Sequence, residues 1–196
     1  MTPTASPRVV ARRSASLLLA LSALVGVVGC SDDSGGTEGA VSPSASQTSA
    51  ASPAAQSVQA GLAKHVKGDL TGASADYEKA LQTDPKNVLA LYNLGLIAQT
   101  AGNNAEAETR YRSVLESNPD YQPAVFNLAI IRKGAGQKVE AEQLYRRAIA
   151  LRPGDAGAHL NLGLLLRESA KKTEGDAEVA TALKLNPELV DPAAKK

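Results

Sequence analysis

Few side chains in this 196-residue chain have the type and spacing to make or break a bond. Cys30 is the sole cysteine, which excludes an internal disulfide and a Cys-rich zinc site. A cysteine sulfur is nonetheless a strong nucleophile once ionised. The two histidines, His65 and His159, stand 94 residues apart, and no Ser has a His and an acid at a spacing that suggests a triad. No phosphate loop, Cys/His metal spacing or recognisable carboxylate pair occurs, so neither a catalytic site, a metal nor a cofactor is expected. What does recur is an amide. Asn93, Asn127 and Asn161 stand 34 residues apart. A carboxamide carries both donors and an acceptor, so a ladder of them could hold a peptide backbone without reading its sequence. Local packing and turn-like bonding is the alternative use, and the sequence leaves both open.

The surroundings of Cys30 suggest what its sulfur does. Residues 8–13 (RVVARR) are basic, and residues 15–29 carry no charge. That apolar run has 15 residues, short of the ~20 needed to span a bilayer, and the order of a basic stretch then a short apolar one reads as a secretory signal peptide over residues 1–29. Val27-Val28-Gly29-Cys30 resembles the bacterial lipobox. The resemblance implies cleavage before Cys30, a diacylglycerol on its sulfur, and a lipid-anchored protein on the extracytoplasmic face of a bacterial cell membrane. Residues 14–16 (SAS) after Arg12-Arg13 fit twin-arginine export poorly, so the general secretory route is expected.

Residues 30–55 follow as a tether. Ser, Ala, Gly, Thr and Pro dominate, with almost no bulky apolar side chain, so the segment cannot offset its ordering entropy and should stay disordered. Such a length spans ~28 Å root-mean-square as a flexible chain and up to ~80 Å stretched. Without Arg8, Arg12 and Arg13 the chain keeps 18 basic against 20 acidic side chains, which gives no electrostatic footprint for nucleic acid.

Beyond residue 54 one period organises everything. Pro85, Pro119, Pro153 and Pro187 are each 34 residues apart. At that period Gly61, Gly95, Ala129 and Gly163 align, then Gly68, Gly102, Gly136 and Ala170, then Ala73, Ala107, Ala141 and Gly175. Tyr77, Tyr111, Tyr145 and Val179 follow, and then Ala80, Val114, Ala148 and Ala182. Small residues suit a close helix crossing, and Tyr fills the space between helices. Gly ends a first helix in the left-handed conformation, and Pro stops a second one. Leu91, Leu94, Val125 and Leu128 recur at i, i+3 and should form the buried face of first helices. Glu106, Glu108, Glu140 and Glu142 open second helices, where acids favour the positive end of the helix dipole. His159 stands in a column of bulky packing residues and should be structural.

These columns resemble the tetratricopeptide repeat (TPR). The likeness is closest in Leu91-Tyr92-Asn93-Leu94-Gly95 with Ala107, Tyr111 and Pro119, and weakest in the first unit (Ser57, Ala60) and the last (Gly175, Val179). It implies an all-α fold, a right-handed superhelix of antiparallel helix pairs: a TPR solenoid of about four repeats over 56–187 (about 54–87, 88–121, 122–155 and 156–189), with a short tail, 188–196. It further implies a concave groove lined by first helices. Its residues would be Val58, Gln59, Leu62 and His65, then Leu89, Tyr92, Asn93, Leu96 and Gln99. Phe126, Asn127, Ile130 and Lys133 would follow, and then Leu160, Asn161, Leu164 and Arg167. The carboxylate clamp of some family members is not kept. Val58, Leu62, Pro123 and Asn127 replace its charged and amide positions, and only Asn93 survives.

The expected function is a membrane-anchored, extracytoplasmic scaffold that binds a protein or peptide partner. The first alternative is a self-assembling envelope protein. The tail is too short and Pro-broken to form a capping helix, which would leave the outer face of the last helix, Val179 and Leu183, exposed or covered by a partner or a second copy. An enzyme or small-ligand carrier has less support, because nothing converges in a closed pocket.

Overall fold

The structure is a computed structural model that describes residues 52–195; Cys30, the signal peptide and most of the tether lie outside them. Eight α-helices follow one another: α1 (Pro53–Val66), α2 (Leu70–Thr83), α3 (Val88–Thr100), α4 (Asn104–Ser117), α5 (Gln122–Gly134), α6 (Lys138–Leu151), α7 (Ala156–Glu168) and α8 (Lys172–Leu185). A 3-10 turn, Pro192–Lys195, follows α8, and no strand occurs among the described residues. The all-α fold class is therefore observed. Each helix packs chiefly on the next in sequence, α1 on α2 through α7 on α8, so the array is built from consecutive hairpins.

Local chemistry sets most boundaries. Ser52, Asp69, Asn87, Asn103 and Asp155 accept backbone N–H bonds at helix starts, satisfying donors the helix cannot. Asn103 and Glu106 add a reciprocal pair, the Asn103 amide donating to Glu106 at 2.9 Å. Ser52 as cap and Pro53 in the first turn start α1 three residues earlier than the tether boundary read from composition. Gly68, Gly102 and Gly136 close the first helices at φ +81°, +80° and +77°. Ala170 takes the same left-handed conformation at φ +61°, which costs an L residue about 1–2 kcal/mol.

The crossing inside each hairpin is where side-chain volumes matter. Ala73, Ala107, Ala141, Tyr77, Tyr111 and Tyr145 are all 0% exposed. A Cβ on Gly61 would meet Tyr77 at 2.6 Å, and one on Gly95 would meet Tyr111 at 2.5 Å. The last pair crosses backbone on backbone. A Cβ on Gly175 would lie 2.6 Å from the Gly163 carbonyl, and one on Gly163 would lie 2.7 Å from Val179. The departures Gly175 and Val179 therefore compensate each other: with no tyrosine to hold the helices apart, a glycine lets them close.

This also corrects the expected apolar edge. Val179 is 2% exposed and packs inward. Leu183 is half-buried, and the exposed apolar side chains at this end are Leu185 and Val190.

Neighbouring hairpins are stitched by charge. Arg110 on α4 reaches Glu78 on α2 at 2.6 Å. Arg132 on α5 pairs with Glu108 on α4 and lies 3.3 Å from Glu140 on α6. Lys171 reaches Glu142 at 2.9 Å, and Arg146 reaches Glu174 at 2.5 Å. Glu106 and Glu140 do sit in first turns. Glu108 and Glu142 lie deeper and serve as bridges, so the dipole explains only half of that acidic pattern. Lys171 and then Arg146 hold the Glu142 carboxyl below its ordinary value.

Gly95→Ala should lose about 1–3 kcal/mol, the usual cost of overpacking a fitted core. Thermal unfolding followed by circular dichroism would measure it. An unchanged melting temperature would show that the α3–α4 crossing is not sterically limited.

Candidate functional site: the face of the first helices

The odd-numbered helices α1, α3, α5 and α7 are the first helices of the pairs, and each turns one side inward to its partner. Leu91, Leu94, Val125 and Leu128 are buried there, as the i, i+3 pattern requires. Neighbouring positions on the same helices form the candidate site. Leu62 (39%) and Leu89 (48%) are exposed, as is Gln59. His65, Tyr92, Leu96, Gln99, Phe126, Ile130, Lys133, Leu160, Asn161, Leu164 and Arg167 are half-buried, while Val58, Asn93 and Asn127 are buried. The surface is thus an apolar stripe interrupted by amides.

Several of these groups are already engaged. Asn93 donates to the Leu89 carbonyl at 2.8 Å and Asn161 to the Gly157 carbonyl at 2.9 Å, each four residues back on its own helix. Asn127 differs. Its amide reaches the Tyr92 hydroxyl at 3.3 Å and the Tyr111 hydroxyl at 3.4 Å. Each amide in the ladder therefore spends donor capacity within the array. Their Oδ1 atoms accept no hydrogen bond among the described residues.

Tyr111 in turn donates to Gln99 Oε1 at 2.8 Å. Tyr92 packs edge-on to Tyr121, with ring centroids 5.2 Å apart, and leans on Tyr111 at 5.9 Å. Phe126 lies 5.9 Å from Tyr145. The middle of the face is an aromatic cluster spanning α3, α4 and α5. Burial raises all five phenol pKa values, Tyr77 to about 12.

The two ends are polar. At the first, His65 Nδ1 lies 3.4 Å from the Tyr77 hydroxyl. At the last, Lys133 pairs with Glu168 at 3.3 Å, and Arg167 pairs with Asp176 at 2.6 Å and Asp191 at 2.8 Å. These cations are paired with carboxylates of the same chain. His159 is 9% exposed, with Nδ1 2.6 Å from Glu178 and Nε2 3.0 Å from the Pro153 carbonyl, a structural placement.

Tyr121 and Asp191 were missed by sequence reasoning. Tyr121 shares its column with Asn87 and Asp155, both helix caps, so it reads as a turn residue; the signal was a tyrosine where a cap belongs. Among the described residues no group of three His, Cys, Asp or Glu could hold a metal ion. No described helix is long and apolar enough to cross a membrane.

Stacked helix hairpins with small-residue crossings define an α-helical repeat protein, a class of protein-interaction scaffolds. A TPR repeat profile matches residues 61–102, and a tetratricopeptide repeat profile matches residues 95–156 and 126–189. The array belongs to the tetratricopeptide repeat family. Among solved structures it is similar to MamA, with 27% identity over 65% of this chain and 74% of that one, at a TM-score of 0.59. Pseudomonas aeruginosa PilF shares 24% identity over 70% of this chain and 63% of that one, at a TM-score of 0.62. A tetratricopeptide repeat protein from Parabacteroides merdae shares 23% over 70% and 55%, also at 0.62. The latter two likenesses concern the fold alone. No curated protein matches the chain.

Raised phenol pKa values stabilise the fold fully below the unfolded tyrosine value, near 10, and that stabilisation is lost as pH rises through the folded values. Stability should therefore fall above about pH 10. Tyr111→Phe should weaken that dependence, read from denaturant midpoints between pH 8 and 11. An equally steep fall in Tyr111→Phe would place the alkaline sensitivity elsewhere.

Proposed function

We propose that this protein is a bacterial envelope lipoprotein whose repeat array holds an extended segment of a partner protein. The observation that carries the binding half is the stripe of apolar side chains contributed by successive first helices: exposed Leu89, then half-buried Tyr92, Leu96, Phe126, Ile130, Leu160 and Leu164. A run of partly open apolar positions along three consecutive units suits an elongated ligand better than a compact one. The amide oxygens of Asn93, Asn127 and Asn161 supply acceptors for backbone N–H groups along it.

The anchoring half rests on Val27-Val28-Gly29-Cys30 after a basic and then apolar leader. Lipid on Cys30 would fix the array to the extracytoplasmic face of the membrane. One acyl chain binds marginally and two bind stably. The tether from residue 30 would then give reach. Confining two partners to a thin layer raises their effective concentration with no new contact, so a modest groove affinity suffices for recruitment. A self-assembling role through α8 has less to stand on, since Val179 is buried, and catalysis has no part in the proposal.

Cys30→Ala should move the protein out of the membrane fraction. Retention of that variant in the membrane with residues 15–29 still attached would sink the lipoprotein half.

Leu89→Asp, and separately Asn93→Ala with Asn127→Ala, should reduce capture of a crosslinked membrane partner about tenfold or more, with helicity unchanged. Undiminished capture by both would refute the groove half. Light scattering separates the self-assembly reading: a monomeric mass at high concentration removes it.

A further inference from the structure

The tail after α8 does not run off into solvent. The chain passes Pro187, and Asp191 then caps the 3-10 turn Pro192–Lys195, its Oδ1 accepting the Ala193 N–H at 2.9 Å and its carbonyl the Ala194 N–H at 3.1 Å. The same Oδ1 accepts from Arg167 Nη1 at 2.8 Å. The Asp191 side chain is only 15% exposed. Leu164, Arg167 and Glu168 on α7, with Pro192 and Ala193, border a shallow hollow of about 450 Å³ that is largely open to solvent. Leu164 and Arg167 are also the last unit's share of the first-helix face. The tail forms no capping helix, but its single 3-10 turn returns to α7 through the Asp191–Arg167 pair.

Position in the period explains why it returns there. Asp191 falls in the column of Pro123 and Gly157, both in the first turn of a first helix. The tail falls where the period would place the start of a further first helix.

The charges specify what the place accepts. Asp176 takes the Nε edge of Arg167 at 2.6 Å and is itself held by Lys172 at 2.6 Å. That fixes the guanidinium and turns Nη1 toward the tail. One carboxylate is built in, and a second is supplied by Asp191. Arg167 first, and then the Ala193 N–H, hold the Asp191 carboxyl below its ordinary range. Without the tail, Nη1 faces an open hollow beside an apolar wall, and a carboxylate is the group that replaces Asp191 atom for atom. The turn is tied to α7 through one ion pair, Arg167 with Asp191, so a competing carboxylate has a single contact to replace.

We propose that Asp191-Pro192-Ala193 is an internal ligand of the last unit, seated on Leu164 and Arg167, and displaced by a partner segment that carries a carboxylate beside a proline or small apolar residue. This rests on the first-helix face being the peptide-binding surface. It adds that the last unit reads an acidic group and that the chain's own tail competes for it.

The test uses the full chain in detergent and a fluorescent peptide of the tail sequence, residues 188–196, followed by polarisation. The Asp191→Asn chain should bind the peptide at least tenfold more tightly than the unsubstituted chain. Arg167→Gln or Leu164→Asp in that background should abolish binding, as should a peptide carrying Asp191→Asn. Helicity by circular dichroism identifies any variant that fails to fold, and the other of the two then decides. Equal binding by the unsubstituted and Asp191→Asn chains, or binding that survives loss of both Arg167 and Leu164, overturns the proposal. Asn93→Ala with Asn127→Ala should leave tail-peptide binding intact in the Asp191→Asn background. If that double variant loses the membrane partner while the tail peptide never binds, the internal-ligand inference falls and the groove stands.

Discussion

Everything in this array depends on how closely two helices of one hairpin approach. In the first two units a glycine on the first helix faces a tyrosine ring on the second, with less room than one methyl group needs. The tyrosine sets the spacing, the small residues permit it, and the buried alanines close the remaining gap. Packing at this density leaves little tolerance for added volume. The third unit carries Ala129 in the glycine column and still buries it completely, and the fourth trades the tyrosine for a valine and gains a glycine. The interface is therefore set by the summed volume at the crossing rather than by any single residue type.

Once the hairpins are spaced, the first-helix face follows. Half of each first helix is consumed by its partner, and what remains forms the stripe from Leu62 to Leu164. The tyrosines that set the spacing also build the centre of that stripe: Tyr111 is core by burial, yet its hydroxyl joins Gln99 and Asn127 at the surface cluster. Stability and the candidate binding surface are therefore coupled through the same phenol. The ion pairs between hairpins act separately. They reinforce units that already share core clusters, and each bridge sets a partly buried side chain such as Arg132, Glu108 or Glu142 against a partner on the next helices.

The tail places the same physics at the end of the array. At α7 an apolar shoulder at Leu164 stands beside a directed guanidinium at Arg167. The 3-10 turn reaches the guanidinium with its acidic cap, Asp191.

Much of this was legible in the residues before any coordinates. The period of 34, the hairpin in each unit, the glycine turns and the buried i, i+3 face all come from rules acting within one unit: capping, left-handed turn geometry and volume matching. Such rules repeat with the sequence, so the columns display them. Composition marks a tether gradually, whereas Ser52 as cap and Pro53 in the first turn fix the start of α1 at once. What only the tertiary structure decided involves groups from different units or from the two helices of one hairpin. Arg132 bridges 24 residues to Glu108, Gln122 reaches 33 residues to Asp155, and Arg167 spans 24 residues to Asp191. Whether those atoms meet depends on the rotation between successive helices, which no single column records. The same holds for the asparagines. Their spacing is in the sequence, but that Asn93 and Asn161 turn back on their own helices while Asn127 reaches the tyrosines follows from where Tyr92 and Tyr111 stand once α3, α4 and α5 have packed.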